Sequence, residues 1–108
     1  MPIIIFQDTD SATVQSLSDS LPGELSALTG TPVEAFSVKY SPAEHFSGGT
    51  AAAQSPFIEM RWFPRDLSFC DKAEEIIRCA MASYGYNDVT IYISTMDPRT
   101  YYVNGKHS

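Results

Sequence analysis

The residue of this chain best suited to acid–base chemistry is the second one, Pro2. A small residue after the initiator usually permits removal of Met1, which leaves Pro2 with a free secondary amine. An amino terminus has a reference pKa of about 7.7–8.0, and burial lowers it because burial disfavours the charged form. The sequence therefore predicts Pro2 as a general base near working pH. The structural alternative is a proline that simply opens a strand.

The cysteines and histidines form no site by their spacing. Cys70 and Cys79 fall on one predicted helix, where their separation spans about 13.5 Å along the axis. A disulfide needs Cα atoms within about 7 Å, so both thiols are expected to be reduced. His45 and His107 complete no zinc-type spacing. The sequence predicts no metal and no cofactor.

Composition fits one soluble domain over residues 1–108, with 44% hydrophobic and 12% aromatic residues. The net charge of −6 argues against a nucleic-acid partner, because such binding depends on Lys and Arg. No apolar run approaches the ~20 residues of a membrane span. Residues 3–6 lack the basic leader of a signal peptide. We expect a cytoplasmic protein with no membrane partner.

A β-α-β pattern occurs twice along the chain, over residues 2–46 and 56–104. Each copy has an apolar strand that opens with a proline, a helix with apolar residues at three- and four-residue steps, and an alternating strand. The alternating strands are expected at residues 35–40 and 89–94. Residues 47–55 are small and glycine-containing, and are expected to be a flexible loop.

The helix ends carry recognisable signals. Gly30 and Gly85 are the expected stops, and Pro22 with Gly23 predicts a kink or a break, since proline costs ~3 kcal/mol in a helix interior. The possible N-caps are Asp8, Asp10 or Ser11 for the first helix and Ser68 or Asp71 for the second.

Several of these patterns resemble the tautomerase superfamily. They are the Met-Pro start, the helix exit at residues 28–32 (Leu-Thr-Gly-Thr-Pro) and the last strand at residues 88–93 (Asp-Val-Thr-Ile-Tyr-Ile). The size and the Thr-Gly-x-Pro turn are similar to macrophage migration inhibitory factor. The stretches 56–63 and 97–106 resemble more closely an uncharacterised bacterial family of migration-inhibitory-factor-like proteins.

The resemblance implies an α/β (α+β) fold: two β-α-β pseudo-repeats form a four-stranded sheet with two helices on one face. The alternative is a ferredoxin-like sandwich, which would suit a small-molecule sensor domain and joins its halves by a tight connection. The linker at residues 41–55 is longer than a hairpin needs. This length favours the tautomerase-like fold.

The resemblance also implies a homotrimer with active sites between subunits. The implied reaction is enol–keto proton transfer on a 2-oxo acid, with Pro2 as the base. Migration inhibitory factor has a lysine where this chain has Thr31, and a tyrosine and an asparagine where it has Thr90 and Tyr92. These departures leave open a second hypothesis, a non-catalytic trimeric binding protein on the same scaffold.

Other residues are therefore expected to bind the carboxylate of a substrate. Arg61 and Arg65 are the first candidates, because a guanidinium binds a carboxylate through a bidentate fork. The alternative for Arg61 is an ion pair with Glu59 or with an acidic neighbour in the trimer. Lys39 is the third cationic candidate.

Tyr92 is a candidate donor to an enolate oxygen. It alternates with Ile91 and Ile93, so it faces away from the side that packs on the helices. Tyrosine is also enriched in subunit interfaces, and this second role is favoured. Trp62, Phe63, Tyr101 and Tyr102 are expected in the core or in contacts between subunits.

Overall fold

The computed structural model describes residues 2–107 and contains eight strands and two α-helices. Two short 3-10 turns, Val33–Ala35 and Pro98–Thr100, precede β2 and β7. In chain order the elements are β1 (Ile3–Gln7), α1 (Ser11–Thr29), β2 (Ser37–Tyr40), β3 (Phe46–Ser47), β4 (Thr50–Ala51), β5 (Phe57–Trp62), α2 (Leu67–Ala82), β6 (Thr90–Thr95), β7 (Tyr102–Val103) and β8 (Lys106–His107).

The main sheet has the strand order β2-β1-β5-β6. β1 runs parallel to β2, β5 runs parallel to β6, and the two pairs meet where β1 and β5 lie antiparallel. A ferredoxin-like sheet inserts another strand between the parallel strands of each unit. Here Ile3 pairs directly with Ser37, and Phe57 pairs directly with Thr90. The tautomerase-like arrangement is thus confirmed, and the ferredoxin-like alternative is wrong.

The core lies between the two helices and one face of this sheet. Alternate strand residues are buried there because successive side chains of a strand point to opposite faces. The fully buried members are Ile4, Phe6, Ile58, Met60 and Trp62 from the strands, and Leu21, Leu25, Ala73, Ile77 and Met81 from the helices. The other sheet face, which we call the open face, carries Ile5, Glu59, Arg61 and Tyr92 at the alternate positions.

Helix α1 runs from Ser11 to Thr29 without a break. Pro22 lies within it and is buried beside the fully buried Leu21. Packing of this face offsets the ~3 kcal/mol that proline costs in a helix interior, so the break expected from the sequence does not form. Gly30 ends the helix in the left-handed conformation with φ 75°, as predicted.

The N-caps were predicted correctly for one helix. Asp10 caps α1 and accepts a hydrogen bond from the Thr13 N–H at 2.9 Å. α2 is capped by Asp66, not by Ser68 or Asp71 as predicted. Its first residue, Leu67, is exposed, so the helix begins before the apolar pattern of its buried face.

Residues 47–55, predicted to be a flexible loop, include part of a short hairpin. β3 and β4 form a hairpin whose turn residues, Gly48 and Gly49, have φ of 60° and 82°. Two consecutive positive φ values are typical of the tight turn that fits the twist of a hairpin. β7 and β8 form a matching hairpin around Asn104 and Gly105. A hairpin therefore follows each β-α-β unit.

Cys70 is half-buried, Cys79 is exposed, and both are free thiols, as predicted. Neither helix of the described chain is long and apolar enough to span a membrane.

Candidate functional site

Pro2 lies at the start of the central strand pair. It is fully buried, and its carbonyl oxygen accepts a hydrogen bond from the Ser37 N–H at 3.0 Å. This bond anchors the residue to the edge strand β2. The predicted removal of Met1 lies outside the described residues.

The strand register brings the second half of the chain to Pro2. Ile3 pairs with Arg61 in the antiparallel β1–β5 pair, so the start of β1 lies beside the end of β5. The Met96 N–H donates to the Trp62 carbonyl at 2.7 Å, which adds the end of β6. We call this end of the sheet, with Pro2, Trp62, residues 63–66 and Met96, the proline end.

Arg65 is the predicted cation that the fold places at the proline end. Its Nη2 donates to the Thr31 Oγ1 at 3.0 Å, and its Cζ lies 5.4 Å from the centre of the Trp62 ring. The residue is half-buried and forms no ion pair with a carboxylate of residues 2–107. In a chain of net charge −6, an arginine with no carboxylate partner is a candidate for binding an external anion.

Phe63, two residues before Arg65, contacts the C-terminal segment. The Phe63 and Tyr101 rings meet edge to face, with their centres 5.3 Å apart. This contact ties residues 63–66 to the C-terminal segment.

Arg61 forms the ion pair with Glu59 that was the predicted alternative to a role in substrate binding. Its Nε and Nη2 donate to the two carboxylate oxygens of Glu59 at 3.0 and 3.1 Å. The Ser94 hydroxyl donates to the same carboxylate at 3.2 Å. The hydrogen bond from Arg61, and to a smaller extent that from Ser94, lowers the pKa of Glu59. The bond to the Glu59 carboxylate raises the pKa of Arg61. The fork of Arg61 is therefore occupied within the subunit.

Tyr92 and Lys39 lie apart from the proline end. Tyr92 is exposed on the open face, beside Glu59 in the strand register. Lys39 is exposed on the edge strand β2. Of the predicted site residues, Arg65 follows β5 at the proline end, and Arg61 lies beside Ile3 at the same end on the open face. Tyr92 and Lys39 lie further along the sheet.

Sequence reasoning missed the contact between Arg65 and Thr31. The two residues are 34 positions apart and lie in different pseudo-repeats. No local pattern links a loop arginine to a threonine at a helix exit. The one available signal of this contact was Thr31 itself, which stands at the position where migration inhibitory factor has a lysine.

Two surface cavities of the described chain lie away from Pro2. One, of about 430 Å³, is lined by Asp8, Glu44, His45 and residues 51–54 at the opposite end of β1. The other, of about 350 Å³, lies between α1 and α2 beside Leu28 and Ile76. Neither includes Pro2 or Arg65 in its lining.

Comparison with known proteins identifies the family. The model of a family described as "Domain of unknown function (DUF1904)" matches residues 1–107. The crystal structure of a DUF1904 domain from Sebaldella termitidis ATCC 33386 is 26% identical, covers 100% of both chains and superposes with a TM-score of 0.93. No curated protein matches the chain by sequence.

More distant solved structures share the fold. A macrophage migration inhibitory factor-like protein from Entamoeba histolytica is 12% identical, covering 99% of this chain and 98% of its own, with a TM-score of 0.76. The R7 fused 4-OT, described as an asymmetric trimer, is 14% identical, with coverage of 97% and 94% and a TM-score of 0.77. The chain therefore belongs to the DUF1904 family and has the fold of the migration-inhibitory-factor-like tautomerase superfamily.

Proposed function

We propose that the protein is a tautomerase-type isomerase that moves a proton between the enol and keto forms of a 2-oxo acid. The observation that carries the proposal is the position of Pro2, fully buried at the start of the central strand of this fold. A base there requires removal of Met1, because the nitrogen of a proline inside the chain is an amide with no basic lone pair.

The proposed step needs only the amine of Pro2. A neutral secondary amine accepts the proton of the enol hydroxyl and returns it to the neighbouring carbon, which yields the keto form. The amine ends in the state in which it began, and the step consumes no cofactor. Burial favours the neutral amine, because the charged form loses hydration.

Arg65 is the proposed holder of the substrate carboxylate. It shares the proline end with Pro2, it is half-buried, and Thr31 fixes one of its terminal nitrogens at 3.0 Å. Thr31 stands where migration inhibitory factor has a lysine, so Arg65 supplies positive charge next to that position from the other pseudo-repeat. Tyr92 and Lys39 are proposed as contributors only across a subunit boundary. Arg61 lies beside Ile3, and its guanidinium is paired with Glu59.

A homotrimer is part of the proposal. The open face and the hairpins expose large apolar side chains, including Phe46, Tyr92 and Tyr102. A two-stranded hairpin is only marginally stable alone, and packing against a neighbouring subunit would stabilise both. The R7 fused 4-OT, which shares the fold, is described as a trimer.

The test begins with the intact mass, which must show loss of Met1. Ketonisation of phenylenolpyruvate is then measured for the mature protein and for Pro2→Ala. We expect the variant to lose about a hundredfold in rate, at the low end of general-base effects because a primary amine remains. Pro42→Ala, which changes an exposed proline, is the matched control. Equal rates for all three proteins would refute the mechanism.

The second candidate function is a non-catalytic binding trimer. The occupied fork of Arg61 favours it, since that candidate for substrate binding is already paired with Glu59. Retention of Met1, or phenylenolpyruvate turnover at the uncatalysed rate, would support this alternative. Saturable turnover that depends on Pro2 would exclude it.

A further inference from the structure

The cavity between the two helices lies on the outer surface of the subunit. Because α1 and α2 pack on the core side of the main sheet, the groove between their exposed sides faces away from the open face. We call this cavity of about 350 Å³ the helix groove, and its lining consists of Glu24, Leu28, Lys72, Glu75, Ile76 and Cys79. Sites for small molecules have volumes of about 300–1,000 Å³. An assembly formed through the open face would leave the helix groove accessible.

Helical spacing brings the lining residues together. Lys72, Ile76 and Cys79 follow one another at steps of four and three residues, which places them on one side of α2. Glu24 and Leu28 are four residues apart on α1. Leu28 and Ile76 are half-buried, since their inner parts pack against the core. Their outer parts form an apolar floor for the groove.

Three charged side chains border this floor, and none of them has a partner inside the subunit. Glu24, Lys72 and Glu75 are exposed, and their side chains form no ion pair or hydrogen bond with another of residues 2–107. On the same helix, by contrast, Arg78 donates to Glu74 at 2.9 Å. The rim of the helix groove thus offers two carboxylates and one ammonium group to a ligand.

We propose that the helix groove binds a small zwitterion with an apolar body, of the class of the apolar α-amino acids. The ammonium group of the ligand binds the carboxylates of Glu24 and Glu75. The ligand carboxylate binds the ammonium group of Lys72. The ligand side chain lies on Leu28 and Ile76, where contact removes apolar surface from water.

The charges of the rim favour a zwitterion over other small amphiphiles. A fatty acid would bring its carboxylate towards two groups of the same sign, which repel it. A simple alkylamine would leave Lys72 without a partner. A docked helix needs apolar anchors over several turns, whereas the floor has two apolar residues. The inference does not rest on the proposed isomerase activity, because the helix groove shares no residue with the proline end.

The test compares three ligands that have the same branched apolar body. Leucine carries both charges, 3-methylbutylamine lacks the carboxylate, and 4-methylpentanoate lacks the ammonium group. Each is titrated into protein with ¹³C-labelled leucine and isoleucine methyl groups, and NMR follows the methyl signals of Leu28 and Ile76. We expect saturable shifts of both signals with leucine. Binding of 3-methylbutylamine should be about threefold weaker, as expected for the loss of an exposed ion pair, and 4-methylpentanoate should cause no saturable shift.

Variants of the rim assign each charge of the ligand to its partner. Glu24→Gln and Glu75→Gln should each weaken the binding of leucine and of 3-methylbutylamine about threefold. Lys72→Gln should weaken the binding of leucine by a similar factor and leave that of 3-methylbutylamine unchanged. Asp71→Asn removes an exposed carboxylate of α2 that does not line the groove. It is the matched control and should bind leucine as the wild type does.

The outcomes separate this inference from the proposed function. Absence of saturable shifts with leucine overturns the site. Equal affinities for leucine and 3-methylbutylamine, or unchanged leucine binding by Lys72→Gln, overturn the assignment to a zwitterion. Pro2→Ala should bind leucine as the wild type does, whatever its turnover. Leucine binding that depends on Pro2 would place the ligand at the proline end and overturn the inference.

Discussion

At the residue scale, Arg65 differs from Arg61 and Arg78 in the partner that its guanidinium has inside the subunit. Arg61 and Arg78 each donate to a glutamate, at 3.0 and 2.9 Å. Arg65 instead donates to the uncharged Thr31 and stacks over Trp62. Because a carboxylate is the preferred partner of a guanidinium, Arg65 is expected to take one from a ligand. Arg99, which likewise forms no ion pair within residues 2–107, is exposed and donates to the Tyr102 hydroxyl at 2.9 Å.

Replacing Arg65 tests this assignment in turnover. Arg65→Gln should raise the KM for a 2-oxo acid by about tenfold or more, since it removes a charge-assisted hydrogen bond. Arg78→Gln should leave KM unchanged. Steady-state kinetics with phenylenolpyruvate measures both. An unchanged KM in Arg65→Gln would show that the carboxylate is held elsewhere.

Asp10 gives a prediction about acid stability. Hydrogen bonds from the Tyr86 hydroxyl, and then from Thr13, lower the pKa of Asp10 from 3.8 to about 2. A folded-state pKa below the unfolded value contributes stability that is present above the unfolded pKa and is lost as the pH falls from 3.8 towards about 2. Tyr86→Phe should therefore reduce the loss of stability on acidification.

The measurement is the free energy of unfolding in urea at pH 7 and pH 3. The difference between the two pH values should be smaller in Tyr86→Phe than in the wild type. Tyr84→Phe, which changes an exposed tyrosine near the end of α2, is the control. Identical differences in all three proteins would contradict the assignment of the shift to Tyr86.

At the scale of elements, periodicity predicted the long segments and missed the short ones. The helices and the four strands of the main sheet follow from apolar spacing over several residues. β3, β4, β7 and β8 have only two residues each, too few for an alternation to be read. The uninterrupted course of α1 through Pro22 was also not predicted. Tertiary packing outweighs the low helix propensity of proline there, and the spacing of residues in the sequence does not show that packing.

Two glycines of the first pseudo-repeat should respond oppositely to alanine. Gly30 has φ 75°, where a Cβ costs about 1–2 kcal/mol, so Gly30→Ala should lower the free energy of unfolding by that amount. Gly23 is exposed inside α1, and a Cβ there would meet no atom within 4 Å. Gly23→Ala should raise the free energy of unfolding by about 0.5–1 kcal/mol. Urea unfolding of both variants measures this, and effects of the same sign would contradict the helix boundary.

At the scale of the whole molecule, we propose that assembly completes the site at the proline end. The described cavities lie away from Pro2, and the predicted residues Tyr92 and Lys39 lie further along the sheet. The sequence predicted these residues as site candidates. It did not show how far they lie from Pro2, because strand register and sheet order determine that distance. A neighbouring subunit is the proposed source of the remaining walls.

The assembly proposal is tested by sedimentation equilibrium. We expect a trimer of 11.9 kDa chains at micromolar concentration. Tyr92→Lys, which places a charge on the exposed part of the open face, should shift the protein towards monomer and lower turnover with it. Glu74→Lys, on the exposed face of α2, is the control. A wild-type protein that sediments as a monomer while still turning over substrate would contradict a site shared between subunits.

The central claim is that Pro2 is a neutral amine at physiological pH, and its titration tests this most directly. The mature protein, labelled with ¹⁵N-proline, is followed by NMR from pH 5 to pH 10. We expect the Pro2 amine to titrate with a pKa below the ordinary range of about 7.7–8.0, because burial disfavours its charged form. A pKa within or above that range, or a Pro2 nitrogen that does not titrate because Met1 is retained, would contradict it.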